Sequence, residues 1–159
     1  MSGTVVIGVG NPLMGDDGFG LAALRRLQEN WELEGVELVD GATWGMSLLP
    51  LIEDADRVLL LDAVDAGLEP GAIVALERER LPVYLQRKLS PHQVDLQDVF
   101  AAAELRGNLP QDTVVIGAQP ESVMMSLELS PALAAAVDAA ESLAVVRLRR
   151  WGHRCVERS

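Results

Sequence analysis

Residues 8–20 read G-V-G-N-P-L-M-G-D-D-G-F-G, and no other stretch restricts the fold as strongly. A short β-branched apolar run, residues 4–9, enters it, and a helix-patterned run, residues 21–27, leaves it. Glycine lets backbone approach backbone or ligand and tolerates positive φ. Strand, glycine-rich turn and helix together place a site at the carboxyl end of a first parallel strand. The charged residues of the turn are acids, Asp16 and Asp17, so the cargo of such a site is not an obvious anion.

The rest of the chain repeats the alternation. Apolar runs at 36–39, 57–62, 72–76 and 114–118 read as further short strands. Residues 46–52 suit a short helix, and 94–105 and the stretch from 131 onward suit longer ones. Ser130-Pro131 is an N-cap followed by proline in the first helical turn. Residues 81–89 carry a proline and basic residues and read ambiguously. Strands alternating with helices predict an α/β fold, a three-layer α/β/α sandwich around a mostly parallel, twisted sheet of about five strands. Strand order is open, and 72–76 could run antiparallel. One domain is expected over residues 1–150, with 151–159 as a frayed C-terminal tail.

Composition excludes some functions. Lys and Arg total 13 against 24 Asp and Glu, a net charge of −11, which repels phosphate backbones and argues against nucleic-acid partners. No apolar run approaches the ~20 residues needed to span a bilayer, and no signal-peptide pattern opens the chain. A single cysteine, Cys155, rules out an internal disulfide, so a cytoplasmic, membrane-free setting is the expectation. Arg147, Arg149, Arg150 and Arg154 crowd the C-terminal end and read as a solvated helix end.

The acids fall in a pattern. Asp16 and Asp17 follow the first strand, Asp40 ends the second, Asp62 ends the third, and Glu121 follows the fifth. In a parallel sheet these positions share one edge, the edge where open α/β folds place their sites. His92 is one of only two histidines and lies in a loop. Carboxylates with one imidazole suit a divalent ion such as zinc, nickel, iron or manganese. Each residue also has a structural alternative. For Asp16 a helix cap is favoured over a site role, and for Asp17 the reverse. Asp40 before Gly41 is equally a turn residue. Asp62 follows V-L-L-L, and a carboxylate buried there needs a partner, which favours function. His92 taken alone is more readily structural. The His153-x-Cys155 pair near the terminus is a poor metal site.

Common chemistries fail against the turn. A dinucleotide fingerprint needs a third glycine where Leu13 stands, and Pro12 removes an amide donor. A phosphate-binding loop needs Lys-Ser/Thr where Asp16-Asp17 stand. Ser47 in G-M-S-L-L is not a nucleophile elbow, and Cys155 has no base with structured context.

Five blocks in order carry a resemblance: G-V-G-N-P-L-M-G-D-D-G-F-G, V-D-G-A-T, L-L-L-D-A, S-P-H-Q and I-G-A-Q-P-E. Over residues 6–121 they resemble the nickel–iron hydrogenase maturation endopeptidases. The resemblance implies a single α/β/α domain that cuts a C-terminal extension from the hydrogenase large-subunit precursor after nickel insertion. It implies that Asp17, Asp62 and His92 recognise nickel, with the ion supplied by the precursor rather than held permanently. Asp40 and Gly41 would contact the precursor. The family often has Glu at position 17, and a second glycine where Ala42 stands. No residue stands out as nucleophile, so attack by water is expected. The alternative function is a metal-sensing or chaperone-like module without peptidase activity; a nucleotide-binding domain is a third and weaker reading.

Overall fold

The computed structural model describes residues 3–41, 45–86 and 94–159. Five strands form the central sheet in the order β3 (Val36–Asp40), β1 (Thr4–Gly8), β4 (Arg57–Ala63), β6 (Asp112–Ala118), β5 (Ile73–Leu76). All neighbours run parallel except β5, which pairs antiparallel with β6 at the edge. The chain moves outward from β1 to β3, then returns to the other side of β1 as β4. That reversal makes the carboxyl ends of β1 and β4 the switch point of the sheet.

Strand side chains alternate between two helical layers. Leu59 and Leu61 of β4 join Val6 of β1 under α1 (Phe19–Asn30) and α5 (Pro131–Arg150). Val58 and Leu60 join Val5 and Ile7 under α2 (Leu48–Asp54), α3 (Leu81–Gln86) and α4 (Val94–Leu105). Burial on both faces is why the inner strands β1, β4 and β6 read as unbroken apolar runs. Leu59, Leu60 and Leu61 are fully buried, each contributing about 1.5–3 kcal/mol of transfer free energy. Ser130 caps α5 by accepting from Leu133 N, and Pro131 follows it, as the sequence predicts.

The chain's end differs from expectation. Residues 151–159 are not a frayed tail: β7 (Cys155–Glu157) pairs antiparallel with β2 (Trp31–Leu33) in a second small sheet. His153 Nδ1 lies 2.9 Å from the Glu34 carbonyl and Nε2 lies 2.6 Å from Thr4 Oγ1. The carbonyl demands a donor, so Nδ1 donates to it. The arginines are likewise more than a solvated helix end. The guanidinium groups of Arg57 and Arg147 lie 5.9 and 5.8 Å from the Trp151 ring centroid, Arg149 covers Trp31, and Arg147 pairs with Glu77.

Glycines set how close α1 comes to the sheet. A Cβ at Gly20 would lie 2.1 Å from Leu61 O and 2.4 Å from Val9 O, both backbone atoms. The glycine-rich stretch therefore serves first to seat the helix on the strand ends. Gly20→Ala is expected to destabilise by about 3 kcal/mol or more, at the upper end for overpacking. Gly3→Ala, whose Cβ would meet Gly35 O at an ordinary 3.5 Å, is the near-neutral control. Urea unfolding of the two variants decides the point; equal midpoints would contradict it.

Candidate active site

Asp62 is the sixth residue of β4, set at the sheet's carboxyl edge by the apolar run that precedes it. It is fully buried, and its Oδ2 accepts a 2.7 Å hydrogen bond from the Tyr84 hydroxyl of α3. The Tyr84 phenol is held well above its usual range, first by burial, then by the Asp62 charge and hydrogen bond, and further by the Asp17 charge. Tyr84 thus stays protonated as a donor, and the two acids act on one enclosed environment. The sequence does not single out Tyr84; the signal available was that it is the chain's only tyrosine.

Asp17 lies in a single 3-10 turn, Gly15–Gly18, between β1 and α1. It too is fully buried, and its Oδ2 accepts from the Asn11 amide at 3.0 Å. Gly10 makes this possible. Its φ is +124°, and a Cβ there would come within 1.9 Å of Asp17 O. The turn folds back on itself, so Asn11 reaches the carboxylate six residues ahead.

Asp16, the adjacent acid, does something else. The sequence favoured a helix-capping role for it, but α1 has no side-chain cap. The Asp16 carboxylate instead accepts from the backbone amides of Glu121, Ser122 and Ser130 and from the Ser130 hydroxyl, at 2.7–3.1 Å. Burial pushes its pKa up, but the donors from Ser130, Glu121 and Ser122 outweigh burial and hold it below the ordinary carboxylate value. It ties the β6–α5 loop and the cap of α5 to the glycine turn. Gln119, which the sequence did not single out, performs a similar task next door. Its side chain accepts from the amides of Ala66 and Leu68 and donates to Asp65, clamping the β4–β5 loop.

Asp40 ends β3 on the same edge, exposed and in register with Gly8. The Gly41 amide donates to Gly8 O at 2.8 Å, and a Cβ at Gly41 would press on Ile7 and Gly8, so this glycine has a packing role. The Glu121 side chain is exposed at the same edge. His92 and Ala42 lie outside the described residues. Among the described residues no group of three or more His, Cys, Asp or Glu could hold a metal ion.

The family model described as hydrogenase maturation protease matches residues 21–146. The chain belongs to this family. It is 40% identical over 151 residues to hydrogenase expression/formation protein HupD of Rhodobacter capsulatus, spanning 93% of the chain and 72% of that protein. It is 32% identical over 156 residues to the hydrogenase 2 maturation protease of Escherichia coli, spanning 97% and 95%. The structure of the hydrogenase maturating endopeptidase HybD from E. coli superposes with a TM-score of 0.91 over 99% of this chain and 98% of that one, at 32% identity.

The protease offers no nucleophile at Cys155, a buried thiol whose pKa is raised by burial and only partly offset by Arg149. What the carboxyl edge of the sheet does hold is two buried carboxylates, Asp62 in β4 and Asp17 in the turn that follows β1. Asp16 supports that arrangement with measurable consequences. Its depressed pKa stabilises the fold above the unfolded value of ~3.9, and that stability is lost as pH falls through the folded value. Asp16→Asn is expected to cost about 2–3 kcal/mol at pH 7. The gap from wild type should narrow at pH 3. Chemical unfolding at both pH values tests this, and a gap independent of pH would contradict it.

Proposed function

We propose that this protease removes the C-terminal extension of a nickel–iron hydrogenase large-subunit precursor once nickel is in place, and that Asp17, Asp62 and His92 read the seated ion. The observation that carries the proposal is the burial of Asp17 and Asp62 at neighbouring strand ends, each anchored through Oδ2. Buried carboxylates of this kind are costly unless they serve a bound cation or a fixed network. Carboxylate and imidazole suit nickel among the divalent ions. The names of the relatives, which are hydrogenase maturation proteins and proteases, supply the substrate class.

In this reading nickel belongs to the precursor. Contact with Asp17, Asp62 and His92 would bring the scissile peptide to the sheet edge, converting an encounter into a positioned reaction. The ion would polarise the scissile carbonyl or a water, and water is the attacking group. Tyr84 would hold the Asp62 carboxylate in one orientation, and Asn11 the Asp17 carboxylate. Asp40, at the exposed end of β3, would orient the approaching chain. The setting is cytoplasmic, in keeping with a chain whose lone cysteine cannot form an internal disulfide.

Incubation of the protease with nickel-loaded and nickel-free precursor tests the reading. Mass analysis should find a released C-terminal fragment only from the loaded form. Asp62→Asn and His92→Ala should each slow release by about 10²-fold or more, the scale of a misplaced reacting group. Equal cleavage of both precursor forms, or wild-type rates from both variants, would overturn it.

A further inference from the structure

Ten large apolar side chains are exposed among the described residues, and six of them sit on loops that leave the carboxyl ends of β1, β3, β4 and β6. These are Leu13, Met46, Leu68, Met124, Met125 and Leu127, the last three exposed by 76%, 84% and 81%. Exposed apolar residues scattered singly are ordinary, but a gathering on one edge marks an interaction surface. Here the edge is the one that carries Asp17 and Asp62.

The densest part is held in shape. Ser126 N donates to Leu13 O at 3.0 Å, Gly15 N donates to Ser126 O at 2.9 Å, and Asp16 N donates to Ser122 O at 2.9 Å. Met14 and Ser126 form a parallel bridge, a register that sets Leu13 beside Met125. The Asp16 carboxylate binds the same loop from below. A surface already ordered loses less entropy on binding, and methionine adapts its shape to a partner.

Charge narrows the choice of partner. Glu121 and Glu128 bracket Met124, Met125 and Leu127, and no Lys or Arg occurs from residue 107 to residue 146. An apolar face with an acidic border favours an apolar segment flanked by basic residues. A second copy of this chain would bring the same acidic border against itself in a two-fold interface.

We propose that this face is the docking surface for the precursor, taking an apolar segment with adjacent Lys or Arg close to the scissile bond; the proposal rests on the protease reading above. The test compares wild type with a Met124→Ser, Met125→Ser, Leu127→Ser triple variant. A Glu121→Lys, Glu128→Lys double variant probes the border separately. Calorimetric affinity for nickel-loaded precursor is read beside cleavage kinetics. The triple variant should bind at least 10-fold more weakly and show a correspondingly raised KM, with kcat within about two-fold of wild type. The double variant should lose affinity at low salt and show a flatter salt dependence. Wild-type affinity in both variants overturns the docking proposal, whatever the cleavage result. Wild-type protein that binds precursor and does not cut it sinks the protease reading and leaves docking standing. Sedimentation showing a wild-type dimer that the triple variant dissociates would assign the face to a second copy and overturn the proposal.

Discussion

The parallel ladder between β1 and β4 runs from Thr4 opposite Arg57 to Gly8 opposite Leu61, and Val9 N extends it with a 2.9 Å bond to Leu61 O. The site depends on this pairing. It places the glycine turn next to the carboxyl end of β4, so two acids 45 positions apart in sequence emerge at one edge. It also fixes where α1 must lie, because Gly20 packs directly on the carbonyls of Val9 and Leu61. The function of the glycines follows from that contact rather than from any phosphate.

Three carboxylates, Asp16, Asp17 and Asp62, are at most 1% exposed. Each would be prohibitively costly without donors. Their donors divide the labour. Asp16 accepts bonds to both oxygens from Ser130, Glu121 and Ser122, and it serves the scaffold and the loop above it. The Asn11 amide and the Tyr84 hydroxyl hold Asp17 and Asp62 through Oδ2. Adjacent acids in sequence thus have different partners: Asp16 ties the β6–α5 loop to the glycine turn, and Asp17 is held within the turn itself by Asn11.

Much of the fold was legible because β1, β4 and β6, buried on both faces, are short continuous apolar runs, and the half-exposed edge strands β3 and β5 still show as apolar stretches bounded by turn residues. The placement of Asp17 and Asp62 followed from the rule that sites lie at carboxyl strand ends. Other features are not written locally. β2 and β7 are three residues each and exist only because Trp31 meets Glu157 across the length of the chain. The role of Asp16 depends on donors more than 100 positions away, so a local reading could only offer a cap. Tyr84 sat in an ambiguous, proline-bearing stretch whose helical state is decided by packing against the sheet. Met124, Met125 and Leu127 look like any apolar run until the loop that carries them is seen to face outward.

The central claim is that Asp17 and Asp62 meet nickel seated in another protein. Nickel-edge X-ray absorption of the loaded precursor, alone and frozen rapidly with excess protease, tests it most directly. Wild type should add oxygen or nitrogen scatterers to the nickel shell, and the Asp17→Asn, Asp62→Asn double variant should not. A nickel spectrum unchanged by wild-type protease that still cuts the precursor would contradict the account.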